Sequence, residues 1–153
     1  MKKTQKGVAI VEFALILPWL LLLSIITIEF GRAIWEYNAL TKSVRDAARY
    51  LSLKTPGAHI AEARNLMIYG KLSATDLSAT ESPLAIGLTA ANVPDPTWQT
   101  AGTDPVINTV TVRIHNYEFK SMFSSVFGFS FGTLGTIRYA KDNDITATMR
   151  AHL

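Results

Sequence analysis

The sequence has no cysteine in its 153 residues. That excludes a disulfide framework, a thiolate zinc site, a thiol nucleophile and a lipidated N-terminal cysteine, and it leaves the redox compartment open. A basic surface is missing too. The formal charge is +3, from 15 Lys and Arg against 12 Asp and Glu. Lys2, Lys3 and Lys6 all precede Gly7, and without them 12 basic residues face 12 acidic ones. A nucleic-acid binder would show a basic face or stripe, so no nucleic-acid partner is expected. The sequence has no Walker loop, no G-x-S-x-G, no H-E-x-x-H and no G-x-G-x-x-G. His59, His115 and His152 are far apart and lack metal-ligand spacing, so they read as single surface histidines. No catalytic residue, cofactor site or metal site follows from these patterns, and nothing in them points to an enzyme. With 48 % hydrophobic residues and 18 % charged, the chain is not a disordered one either.

Much of the apolar content is concentrated at the start. Phe13 to Ile28 reads FALILPWLLLLSIITI without a charge, and Val8 to Ile28 is 21 residues with Glu12 as the one ionisable group. At about 1.5 Å per residue this stretch spans roughly 30 Å as a helix, the thickness of a bilayer's hydrocarbon core. It is apolar all round, which suits lipid or a bundle of helices. A cleaved secretory signal is the rival reading. Such a signal ends in small residues, whereas this run ends in Glu29-Phe30-Gly31-Arg32. Lysines before the span predict a cytoplasmic N-terminus and a translocated remainder. Pro18 lies within the span, where it removes a backbone donor and crowds the carbonyl of Ala14; a kink or local melt is expected there.

Glu12 is the residue most out of place. A carboxylate in an apolar span costs about 2.5–3.5 kcal/mol at the helix centre and less near an interface. One reading lets it reach the headgroups. Its spacing from Gly7 offers another. Lys6-Gly7-Val8-Ala9-Ile10-Val11-Glu12-Phe13 resembles the processing site of type IV prepilins and pseudopilins. There a prepilin peptidase cuts after the glycine and leaves a glutamate at the fifth mature position, often followed by an aromatic. The resemblance implies a leader of residues 1–7, cleavage between Gly7 and Val8, and a mature chain of 146 residues. It also implies an assembly role for Glu12 and Phe13. Cleavage would create an α-ammonium at Val8, and in a staggered filament the Glu12 carboxylate of a neighbour can face it as a charge-assisted pair.

A helical pattern continues past Ile28. Phe30, Ala33, Tyr37, Leu40, Val44, Ala47 and Leu51 are spaced three and four apart, which predicts one apolar stripe. Charges lie off it, with pairs expected for Arg32–Glu36 and Lys42–Asp46. Thr55-Pro56-Gly57 should end the helix near Lys54. The expected division is a long helix over 8–54, transmembrane over 8–28, and a head over 55–153. The chain is similar here to the TadE-like minor pilins of tight-adherence (Tad, or Flp) pili. The likeness lies in Gly7 to Ala14, Leu17-Pro18, Glu29-Phe30-Gly31 and Val44-Arg45-Asp46-Ala47-Ala48-Arg49-Tyr50, and in Ile145 to Arg150 as a closing strand. Tyr50-Leu51-Ser52 stand where the family has a glycine and a second arginine. The resemblance implies an α+β, pilin-like fold in which a long N-terminal transmembrane helix continues into a periplasmic domain with a small antiparallel sheet.

In the head, Ala58 to Tyr69 reads as a helix closed by Gly70, with Ile60, Ala63, Leu66 and Met67 on its apolar face. Residues 71–83 and 93–105 read as loops, with Trp98 filling a core gap. Leu84 to Thr89 suggests a short strand. Val106 to Tyr117 alternates as a strand, and so do Ile145, Ala147 and Met149. Three or four strands packed on the long helix would bury both apolar faces. Met122 to Phe131 holds four phenylalanines among ten residues. That fits core filling or a loop lying on the membrane or on a neighbouring subunit.

The family likeness implies an inner-membrane, single-pass pseudopilin that takes part in pilus priming or assembly, adhesion and biofilm formation. Its implied partners are a prepilin peptidase, other minor pilins, the major pilin, the assembly platform and inner-membrane lipid. The alternative is an unprocessed, membrane-anchored periplasmic scaffold or binding protein. Whether the chain sits at a pilus tip, along the filament or in the membrane is left open by the residues.

Overall fold

A computed structural model describes residues 6–123, 125–126, 129–130 and 144–152. Residues 1–5 of the expected leader, and Phe127 and Phe131 of the phenylalanine-rich segment, lie outside the described residues. The chain has the α+β arrangement expected: one long helix, then a small antiparallel sheet.

Helix α1 runs 47 residues from Lys6 to Ser52, about 70 Å at 1.5 Å per residue. Pro18 lies within it. The span's two hydroxyl residues satisfy themselves: Ser24 Oγ donates to Leu20 O and Thr27 Oγ1 to Leu23 O, both at 2.8 Å. Such back-bonding gives both hydroxyls an acceptor in an apolar medium. The helix ends two residues before the expected stop, and Leu53 and Lys54 form a turn on the carbonyls of Tyr50 and Leu51.

Helix α2 spans Ile60–Tyr69. Gly70 closes it in the left-handed region at φ 69, its N–H donating to Leu66 O. A Cβ there would sit 3.3 Å from Leu84 Cδ2, so glycine suits the position twice over. The buried face of α2 is Ala63, Asn65, Met67 and Ile68, rotated from the face expected. Asn65 is tolerated because its amide donates to Ser73 O and Thr75 O at 2.8 and 2.7 Å, which organises the following loop. Ser43 ties the two helices, its hydroxyl lying 2.9 Å from Leu40 O and 3.1 Å from Met67 O.

Leu84 to Thr89 is not a strand. The Leu84 N–H donates to Ile68 O, Gly87 takes φ 83, and Thr89 and Asn92 cap a short 3-10 turn over Ala90–Asn92. Conversely, the expected loop at 93–105 contains strand β1, Thr97–Ala101. Pro94, Pro96 and Pro105 flank it, and its five residues are proline-free, which an edge strand accepts. Gly102 turns it into β2 at φ 84, where a Cβ would meet Pro105 O at 2.7 Å. Strand β2 is Ile107–Ile114, and Val106 lies outside it.

Two short strands, β3 at Ser125–Val126 and β4 at Phe129–Ser130, pair with each other. Strand β5, Ile145–Arg150, closes the chain. The main sheet runs β1-β2-β5, antiparallel throughout. Val110 pairs with Trp98 on one side and Met149 on the other, so these three share the face turned to α1. Val112 and Ile114 extend that face, paired with Ala147 and Ile145. Trp98 is half-buried against the core, as a gap-filling residue should be. Ala151 N–H bonds Asn108 O, and His152 N–H bonds Ser52 O at 2.9 Å. The C-terminus thereby satisfies a carbonyl that the end of α1 leaves open.

Candidate functional site: an exposed helix and its exit cluster

Helix α1 divides into two regimes. From Ala33 onward it buries Ala33, Leu40, Val44, Ala47, Ala48 and Leu51 in the core. Among the described residues before Ala33 none is buried, and the apolar window is bare along its length. Water tolerates such a surface poorly, so the helix needs lipid or other helices around it. Among the described residues this is the one helix long and apolar enough to cross a membrane. It fits a single-pass anchor.

Gly7, Val8, Glu12, Phe13 and Pro18 all lie on this bare region and are exposed. Val8 and Glu12 are one turn apart on the same helix face. The expected pair between Glu12 and a Val8 ammonium is an intermolecular one, and no contact of the single chain bears on it.

Where the bare region ends, a charged cluster joins α1 to the head. The expected Arg32–Glu36 pair forms at 3.2 Å, and Arg32 also pairs with Glu29 at 3.1 Å. Lys42 and Asp46 form no ion pair among the described residues. Glu36 is not off the stripe as expected: it is only 2 % exposed and takes the core position, while Tyr37 is turned outward. Phe30, also expected on the stripe, is 61 % exposed. The core accepts Glu36 because it is partnered. The Tyr117 hydroxyl donates to Glu36 Oε1 and lies 3.1 Å from Ile86 O. The Arg32 guanidinium lies 4.2 Å from the centre of the Phe119 ring and donates to Lys120 O. Met122 N–H donates to Glu29 Oε2 at 3.3 Å. Burial pushes the Glu36 carboxyl above its ordinary value; the Tyr117 hydrogen bond and the Arg32 charge draw it part of the way back, and the Glu29 charge adds to the rise. Glu29 Oε1 and Arg32 Nε are shut off from water without a hydrogen-bond partner.

Tyr117, Phe119, Lys120 and Met122 were not legible as site residues. The hint in the sequence was the spacing of Glu29, Arg32 and Glu36, which sets three charges on one face.

Other polar groups are local. His115 Nδ1 lies 2.5 Å from Asp144 Oδ1 and fastens the start of β5 to the end of β2. His59 bonds Glu62 at 2.9 Å beside α2. Among the described residues no three His, Asp or Glu side chains gather as a metal site requires.

A family model described as TadE-like protein matches residues 7–49. The chain is TadE-like over that stretch. The match begins at Gly7 and covers the bare region, the exit cluster's three helical residues and most of the buried stripe. No curated protein and no solved structure matches the chain. The TadE-like family implies a structural minor pilin associated with Tad pili, in company with other pilus components and a membrane.

Proposed function

We propose that this chain is a processed minor pilin of a Tad-type pilus. A prepilin peptidase removes residues 1–7 by cutting between Gly7 and Val8. The head then stands on the periplasmic side of the inner membrane, anchored by residues 8–28. From there the protein takes part in priming or assembling the filament, together with other minor pilins, the major pilin and the assembly platform, and so serves adhesion and biofilm formation. The observation that carries the proposal is the TadE-like match that begins at Gly7, on a helix whose apolar stretch is left uncovered.

The chemistry supports an assembly role. A bare apolar helix packs laterally on others of its kind through van der Waals contact, without a preference for register. Glu12 supplies the register. Unpaired in the membrane it is costly; facing the Val8 ammonium of an adjacent processed subunit it is neutralised and hydrogen-bonded. The pair selects one stagger among many more than it adds affinity. Glu12→Gln should therefore reach the membrane and be processed, yet co-isolate with the other pilins several-fold less than the wild type. Equal recovery of the variant would remove Glu12 from assembly. An unprocessed scaffold would show neither cleavage nor dependence on Glu12.

A further inference from the structure

The segment after β2 runs back down α1 toward the bare region. Tyr117 reaches Glu36, Phe119 and Lys120 reach Arg32, and Met122 reaches Glu29. As residue numbers rise from 117 to 122 their partners on α1 fall from 36 to 29, a descent of about 10 Å along the helix axis. Glu29 is the first residue past the span 8–28, so the Met122 backbone is held at the level where that span ends.

Exposure reverses along this segment. Tyr117 and Phe119 are buried, whereas Met122 is 66 % exposed and Phe123 40 %. Ser121 shapes the tip: its hydroxyl donates to Phe123 O at 3.0 Å and lies 3.1 Å from the Phe123 N–H. Two large apolar side chains are thus presented in a defined turn beside the membrane exit. The helix itself shows Phe30, Ile34 and Trp35 exposed within its next turn or two. Apolar and aromatic side chains at that height match the headgroup–acyl boundary, where such residues anchor proteins.

We propose that Met122 and Phe123 insert into the bilayer interface, giving the head a second membrane contact beside its own helix. The inference rests on the reading of 8–28 as a membrane span. The exit cluster sets the height of this contact, because Glu29 and Arg32 hold the backbone at Met122 and Lys120. With two attachments the head is fixed in tilt and rotation about α1, so every subunit presents the same face when it meets a partner.

The absence of cysteine makes the test simple. Single variants Leu21→Cys, Leu53→Cys, Met122→Cys and Phe123→Cys of the full chain carry an environment-sensitive fluorophore. They are reconstituted in phosphatidylethanolamine–phosphatidylglycerol vesicles with or without a lipid bearing a shallow spin-label quencher. Leu53 is exposed at the far end of α1, about 36 Å from Glu29, and serves as the aqueous reference. The labels at 122 and 123 should emit to the blue of the label at 53 and lose roughly half their intensity to the shallow lipid quencher. Labels at 122 and 123 quenched by aqueous iodide as fully as that at 53, while the label at 21 responds to lipid, would overturn the inference alone. Blue-shifted labels at 122 and 123 untouched by the lipid quencher would do the same, since protein and not lipid would then cover them. A label at 21 that is reached by iodide would overturn the membrane span, and the inference with it.

Discussion

Glu36 places a carboxyl in the core, where the helix spacing puts its neighbour Tyr37. It is retained by two partners from different parts of the chain: Arg32 one turn away and the Tyr117 hydroxyl. Its environment has a consequence for pH. A carboxyl whose folded value is raised favours the fold fully below its unfolded value, here the ordinary 4.5, and that contribution is lost as pH rises through the folded value. Glu36→Gln removes the titration. Thermal melting of the full chain in mild detergent, followed between about pH 4 and pH 7, should therefore show the variant gaining on the wild type as pH rises. Parallel curves, or a wild type that gains with pH, would contradict the account of Glu36. Nothing local reveals this residue's burial, because Tyr117 lies 81 residues away. Spacing alone placed Tyr37 in the core, since the two differ by one position and only the tertiary partner decides between them.

Helix α1 was the most legible element, yet only in part. Its length, its apolar span and the positions Ala33, Leu40, Val44, Ala47 and Leu51 follow from the sequence, because a helix presents a fixed period to a single neighbouring surface. Phe30 fits the same period and is exposed, because at that level the head meets α1 at Glu29 and Arg32 and leaves Phe30 uncovered; a periodicity does not say which residues its partner covers. Strands β2 and β5 showed themselves by alternation. Strand β1 did not, since the prolines around TWQTA look like a loop and its pairing is supplied by β2. The buried stripe is what joins head to helix. Leu40 is fully buried, and Leu40→Ala should destabilise the head by about 3 kcal/mol through lost burial and the cavity left behind. Urea unfolding followed at Trp98 would measure it; a loss below about 1 kcal/mol would mean that the helix and head are not one core.

The molecule as a whole is an amphiphile cut across its long axis. One half of α1 is dressed by a sheet, a second helix and a charged cluster; the other half is bare and waits for an apolar surrounding. That division agrees with the TadE-like match, which begins at Gly7 and ends within the buried stripe. It also gives a reason for so costly a surface in a chain without catalytic motifs: the uncovered half suits a single-pass membrane anchor. The identity of the mature N-terminus tests the proposal of a processed minor pilin. Intact and peptide mass spectrometry of the protein purified from cells with an active prepilin peptidase should find Val8 as the first residue, with a free α-amino group and residues 1–7 gone. A protein from the same cells that still begins at Met1 or Lys2, or one that begins beyond Ile28, would contradict the account.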